Sequence, residues 1–119
     1  MRGSEKHELR PRRLRADNFT PPSRTPWGGS RIGTDYKSEL SLSTAPGVIG
    51  ESWEVSVEPS FPSVTEEGEE LSQIIARAPE AWLGLNVATN NDRQLPLLVK
   101  LLDAADNLSV QVHPADDDE

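Results

Sequence analysis

Between Leu95 and Pro114 the chain reads LPLLVKLLDAADNLSVQVHP, and this stretch limits the possible folds more than any other. Two apolar runs flank AADN, residues 104–107. Short runs rich in Leu and Val, bounded by turn formers, suit β-strands. The pattern predicts a hairpin in which Asp103 faces Leu108, Leu102 faces Ser109 and Lys100 faces Gln111. Alternation along paired strands then brings Lys100, Ser109, Gln111 and His113 to one side. An ammonium among leucines is costly unless it reaches water, an anion or a polar cavity. The hairpin is therefore expected to have one apolar face and one face lining a ligand cavity.

The upstream chain supports a mainly β reading with a small helical insert. FTPPSRTPWGGSRIG, from Phe19 to Gly33, is too rich in Pro and Gly for long regular structure. Its Trp27 precedes two glycines and is expected to pin this loop to the core. IGESWEVSVEPS predicts a strand after a turn at Gly50, with Trp53, Val55 and Val57 on the apolar face. Ser52, Glu54, Ser56 and Glu58 share the other face, and Glu51 stands at the strand's start. TEEGEELSQIIARAPEAWLG is the one helical stretch, its stripe formed by Leu71, Ile74 and Ile75. Glu66, Glu67, Glu69 and Glu70 suit a helix N-terminus, and Pro79 limits the first helix. A second short turn is expected from Pro79 to Leu83, ending at Gly84, followed by a polar loop over NVATNNDRQ.

A length of 119 residues allows one domain at most. Cysteine is absent, which removes disulfides and thiolate metal sites. No apolar run approaches the roughly 20 residues of a membrane span, and the N-terminus lacks the apolar core of a secretory leader. These features predict a soluble, cytoplasmic protein without a membrane partner. Charge is unevenly spread. Residues 1–37 hold nine Lys/Arg against four Asp/Glu, whereas residues 38–119 hold three against sixteen. A basic arm over residues 1–17 is expected to be disordered, as charged termini usually are. A nucleic-acid role through that arm is the weakest reading, since the acidic body repels the same phosphates.

A neutral imidazole and an amide two residues apart on one strand face can offer two ligands to a divalent metal. Catalytic zinc generally takes about three protein ligands and keeps a position open. Lys100 beside them suits an anionic, oxygen-rich substrate such as a sugar phosphate. At these residues the chain resembles the type I phosphomannose isomerases, zinc-dependent mannose-6-phosphate isomerases of the cupin superfamily. The likeness rests on PLLVKLLDAADNLSVQVHP, preceded in order by TPWGG, GESWEVS and a helical G…L…I…P…WLG block. It spans about Asn18 to Glu119, so residues 18–119 are expected to form the N-terminal part of a cupin jelly-roll barrel.

The resemblance implies interconversion of mannose 6-phosphate and fructose 6-phosphate by proton transfer between C1 and C2, assisted by one divalent ion, zinc. It implies that His113 is a metal ligand and that Gln111 is a second. Lys100 and Ser109 match substrate-binding positions, as do Trp27 and Glu51 near the pocket. The remaining ligands of the family, a glutamate and a distal histidine, have no counterpart here, and no proton-transfer residue is assigned. The chain is therefore expected to be truncated and inactive alone. The competing reading is a non-enzymatic cupin that binds a sugar or sugar phosphate.

Overall fold

The computed structural model describes residues 9–40 and 47–114. Strand β1, Glu51–Val55, lies at the centre of the fold because both of its edges are used. On one edge it pairs antiparallel with β2, Val99–Leu102, in the register Glu51 to Leu102, Ser52 to Leu101 and Trp53 to Lys100. A bulge after Trp53 shifts the last pair to Val55 with Val99. On the other edge residues 18–20 complete the backbone bonding. The Thr20 N–H donates to Glu51 O at 3.0 Å, and the Trp53 N–H donates to Asn18 O at 2.9 Å.

The expected hairpin does not form. Beyond Leu102 the chain is held by the glycine segment instead. The Gly29 N–H donates to Asp103 O at 3.0 Å, the Asp103 N–H to Gly50 O at 2.9 Å, and the Ala105 N–H to Trp27 O at 2.8 Å. Asp103 Oδ2 also accepts the Arg31 N–H at 2.8 Å. These bonds carry residues 103–105 away from a turn, and residues 107–114 run on as exposed irregular chain. Gly28 is required here. A Cβ at this position would collide with the Gly50 backbone.

Trp53 is buried as expected, but Ser52 and Ser56 are buried more completely than Val55 or Val57. Alternation alone predicted the reverse for the serines. Each buried hydroxyl has partners, which removes the desolvation penalty. Ser52 Oγ accepts from Lys37 Nζ at 2.9 Å and donates to Glu54 Oε1 at 2.6 Å. Ser56 Oγ accepts the Glu58 N–H at 3.1 Å, and the Ser63 hydroxyl accepts the Ser56 N–H at 2.8 Å. The core is thus part apolar, with Ile32, Ile49, Trp53, Ile74, Ile75 and Ala88, and part hydroxyl-lined.

A π-helical turn, Ile32–Tyr36, buries Ile32 and delivers Lys37 to this polar core. The helical insert comprises α1, Leu71–Arg77, α2, Pro79–Leu83, and α3, Leu85–Asn90. Ile74 and Ile75 anchor α1, and Pro79 opens α2 while Gly84, at φ 80°, closes it. Helix α3 replaces the polar loop expected over residues 86–94. It buries Ala88, and Asn91 Nδ2 donates back to Val87 O at 2.9 Å. The acidic residues sit ahead of α1 rather than in its first turn.

The basic arm was expected to be disordered throughout. Residues 1–8 lie outside the described residues, but residues 12–15 pack onto the body. The Arg15 N–H donates to Val64 O at 2.8 Å, the Glu66 N–H donates to Arg13 O at 3.0 Å, and Arg12 Nη1 reaches Glu69 Oε1 at 3.2 Å. The Leu14 backbone forms an antiparallel bridge with Thr65, and its side chain lines an apolar cavity with Val55, Leu71 and Ile74, a contact that the net charge obscured.

The described residues form one two-stranded sheet with several short helices, an arrangement compatible with part of a cupin-like domain; no closed barrel forms among them. The molecule is a slab of 49 × 41 × 18 Å. Leu97, Leu98, Val99, Leu102 and Leu108 are exposed along and beyond β2. Among the described residues, no helix is long and apolar enough to cross a membrane.

Candidate functional site

The pairing of Trp53 with Lys100 creates the best-defined polar constellation on the sheet. Glu51 and Trp53, two residues apart on β1, share a face, and Trp53 Nε1 donates to Glu51 Oε2 at 2.7 Å. From β2, Lys100 Nζ donates to the other carboxylate oxygen, Glu51 Oε1, at 3.2 Å. The same ammonium stands 5.1 Å from the Trp53 ring centroid. The strand lysine therefore escapes its leucine neighbours by gaining a carboxylate and an aromatic face, both of which suit a partly desolvated cation.

Behind this group the aromatic wall continues. Phe61 meets Trp53 edge to face, with centroids 5.3 Å apart and an interplanar angle of 66°. Arg24 lies over both rings, 5.2 Å from the Trp53 centroid and 5.4 Å from that of Phe61. Periodicity gave no sign of Arg24 or Phe61. Arg24 sits in a Pro-rich turn and Phe61 beyond the strand, so only tertiary packing joins them to Trp53.

The structure brings together two of the six anticipated site residues, Glu51 and Lys100, and does not bring Ser109, Gln111 or His113 to them. Gln111 Nε2 donates to Ser109 Oγ at 3.2 Å, and both residues, like His113, are exposed. Without the hairpin, the register that placed them opposite Lys100 is lost. Trp27 is half-buried and packs beside Gly50, the residue before Glu51; it pins the loop there, next to the site rather than in it.

No three His, Cys, Asp or Glu side chains gather into a metal-holding group among the described residues. His113 and Gln111 amount to two neutral ligands at most, which falls short of a zinc site. The described residues by themselves do not fit the metal.

Comparison with known proteins places these elements. Residues 23–119 match the model of the type I phosphomannose isomerase catalytic domain. The chain belongs to this family. It is 34% identical over 92 residues to a mannose-6-phosphate isomerase of Streptococcus mutans, a match covering 74% of this chain and 26% of that protein. Two Bacillus subtilis proteins are also similar. The putative mannose-6-phosphate isomerase YvyI is 30% identical over 90 residues, covering 76% of this chain and 27% of its own length. The probable mannose-6-phosphate isomerase GmuF is 34% identical over 95 residues, again covering 76% and 27%. The chain thus spans about a quarter of the length of these curated relatives. No solved structure gives a significant match.

Proposed function

We propose that this chain is part of a mannose-6-phosphate isomerase and that the β1–β2 face carrying Glu51 and Lys100 is one wall of its substrate pocket. The observation that carries the reading is the Lys100–Glu51–Trp53 constellation, which lies inside the segment matched by the family. An ammonium and a carboxylate side by side suit a hydroxylated, anionic ligand. The cation attracts phosphate or a developing enediolate, and the carboxylate accepts sugar hydroxyl protons.

In this reading β1 and β2 belong to a cupin barrel completed by strands of further polypeptide, which cover the exposed apolar residues of β2. The exposed strip Ser109–His113 acquires its partners in that assembly. His113 and Gln111 then contribute to a zinc site whose other ligands come from elsewhere, and Ser109 joins the substrate wall. Bound zinc would supply a Lewis acid for the sugar oxygens. Within this chain Lys100 holds the anionic end and Glu51 keeps Lys100 directed at the cavity.

The test is a titration of the isotopically labelled chain, joined to the further polypeptide that completes the pocket in this reading, with mannose 6-phosphate and, separately, with mannose. A saturable shift of the Lys100 ammonium resonance that is larger for the phosphorylated sugar supports the proposal. Equal, non-saturating shifts for both sugars would remove it.

A further inference from the structure

The Glu51 carboxylate that meets Lys100 also accepts the Trp53 indole N–H, and Arg24 lies over the Trp53 ring. The backbone that presents Arg24 is a tight turn. The Arg24 N–H donates to Pro21 O at 2.9 Å, and the neighbouring Thr25 is buried, sharing a hydrogen bond with Thr20 at 2.9 Å. The Arg24 side chain is thus delivered from a fixed point. It is exposed, and its guanidinium forms no ion pair among the described residues. Its contacts are instead the rings of Trp53 and Phe61, 5.2 and 5.4 Å away. A planar guanidinium stacks on aromatic rings in a way that an ammonium cannot.

Rotation of the indole out of this clamp would break the 2.7 Å bond from Trp53 Nε1 to Glu51 Oε2. The carboxylate would lose one of its two anchors, leaving only the longer contact to Lys100 at 3.2 Å. We infer that Arg24 is a positioning residue: laid over Trp53 and Phe61, it holds the indole in the orientation that fixes Glu51 and, through Glu51, Lys100. Its consequence for substrate rests on the function proposed above; its effect on Trp53 does not.

The experiment follows the indole N–H resonance of Trp53, identified by its loss in Trp53→Phe, in the labelled chain and in Arg24→Ala and Arg24→Lys. Mannose 6-phosphate is titrated into each. In Arg24→Ala the indole proton should move upfield and exchange faster with solvent, and the Lys100 resonance should shift. Affinity for mannose 6-phosphate should fall roughly two- to fivefold, the worth of an exposed cation–π contact. Arg24→Lys should recover part of each effect, because it keeps the cation and loses the broad guanidinium. Amide resonances of α1 should be unchanged, which separates this effect from general unfolding. An unmoved indole proton in Arg24→Ala overturns the inference. So does an indole proton that moves while the Lys100 resonance stays in place; unchanged sugar-phosphate affinity beside a shifted Lys100 overturns only the consequence for substrate. If the parent chain itself fails to bind mannose 6-phosphate, the functional reading falls, and the Trp53 and Lys100 resonances alone decide the role of Arg24.

Discussion

Lys100 and Glu51 meet across the β1–β2 ladder at 3.2 Å, yet the two partners differ in what depends on them. Lys100 is a third exposed, and its loss frees only one oxygen of a carboxylate that keeps the Trp53 indole N–H. Glu51 is the acceptor for that N–H as well as for the ammonium. Lys100→Met is therefore expected to change stability by at most about 1 kcal/mol, as for other partly exposed pairs. Glu51→Ala leaves the Trp53 N–H without its acceptor and is expected to cost about 1–3 kcal/mol. Urea unfolding of the two variants gives the order directly. A larger loss for Lys100→Met would mean that the ion pair, and not the indole bond, holds this site together.

Gly28 tests the junction that replaces the expected hairpin. A methyl group there overlaps the backbone of Gly50, which cannot rotate aside as a side chain could. Relief requires separating residues 28–29 from residues 49–50 and 103–104, which the bridges at Gly28 and Gly29 hold together. Gly28→Ala should cost about 1–3 kcal/mol, the usual range for forced overpacking. Gly47→Ala is the control, because a Cβ there meets nothing within 4 Å. Equal thermal midpoints for the two variants would show that the Gly28 junction opens without penalty.

The sequence made some of this structure readable because the signals were local. The Ile74–Ile75 stripe, the Pro79 start and the Gly84 stop each act within one turn, and α1 and α2 appear where they were expected. The β1 segment was equally clear from Trp53 and its neighbours. The choice of strand partner was not. Lys100 fits opposite Gln111 by sequence spacing but lies opposite Trp53, because an aromatic face and the Glu51 carboxylate solvate its charge better than exposed chain does. Ser52 and Ser56 misled for a related reason: hydroxyls read as surface until the groups that satisfy them, the Lys37 ammonium and the Glu58 N–H, are known. Arg24 carried no local signal at all, since its contacts with Trp53 and Phe61 are purely tertiary.

Glu69 gives the chain a defined acid response. Its carboxylate accepts from Arg77 Nη2 at 2.7 Å and from Arg12 Nη1 at 3.2 Å. The hydrogen bond from Arg77, aided by Arg12 and by the charge of both guanidinium groups, holds its carboxyl below the usual value of 4.5, although desolvation pushes the other way. A carboxyl whose pKa is lowered by folding binds fewer protons in the native state, so protonation favours unfolding. Its contribution is complete above about pH 4.5 and disappears as the pH falls through the lowered native value. The difference in thermal midpoint between the parent chain and Glu69→Gln should be positive at pH 7 and shrink steadily below pH 4.5. A difference that is constant from pH 7 to pH 3 would show that the carboxylate charge contributes nothing to this end of α1.

Among the described residues, Lys37 is the most deeply buried charge. Its side chain is 9% exposed, and its ammonium lies 2.7 Å from Glu54 Oε1 and 2.9 Å from Ser52 Oγ, with Ala16 O as a third acceptor. The ring of Phe19 closes the remaining side, with its centroid 5.4 Å away. Three acceptors for three ammonium protons leave no donor unsatisfied, which is the condition under which a buried cation is tolerated. These acceptors come from the arm and from β1, so the ammonium ties the arm and the π-helical turn to the central strand. Lys37→Met fills much of the same volume but leaves Glu54 without its cation and Ala16 O without its donor. Breaking a fully buried pair costs about 3–5 kcal/mol; Glu54 retains partial access to water, so a loss of about 2–3 kcal/mol is expected. Adding Glu54→Leu to Lys37→Met removes the stranded carboxylate and should restore part of that loss, whereas Glu54→Leu alone should destabilise by stranding the ammonium. Denaturant unfolding of the two single variants and the double variant closes this cycle. A double variant as unstable as both single losses combined would mean that Lys37 and Glu54 act independently and that the arm is held by its backbone bonds alone.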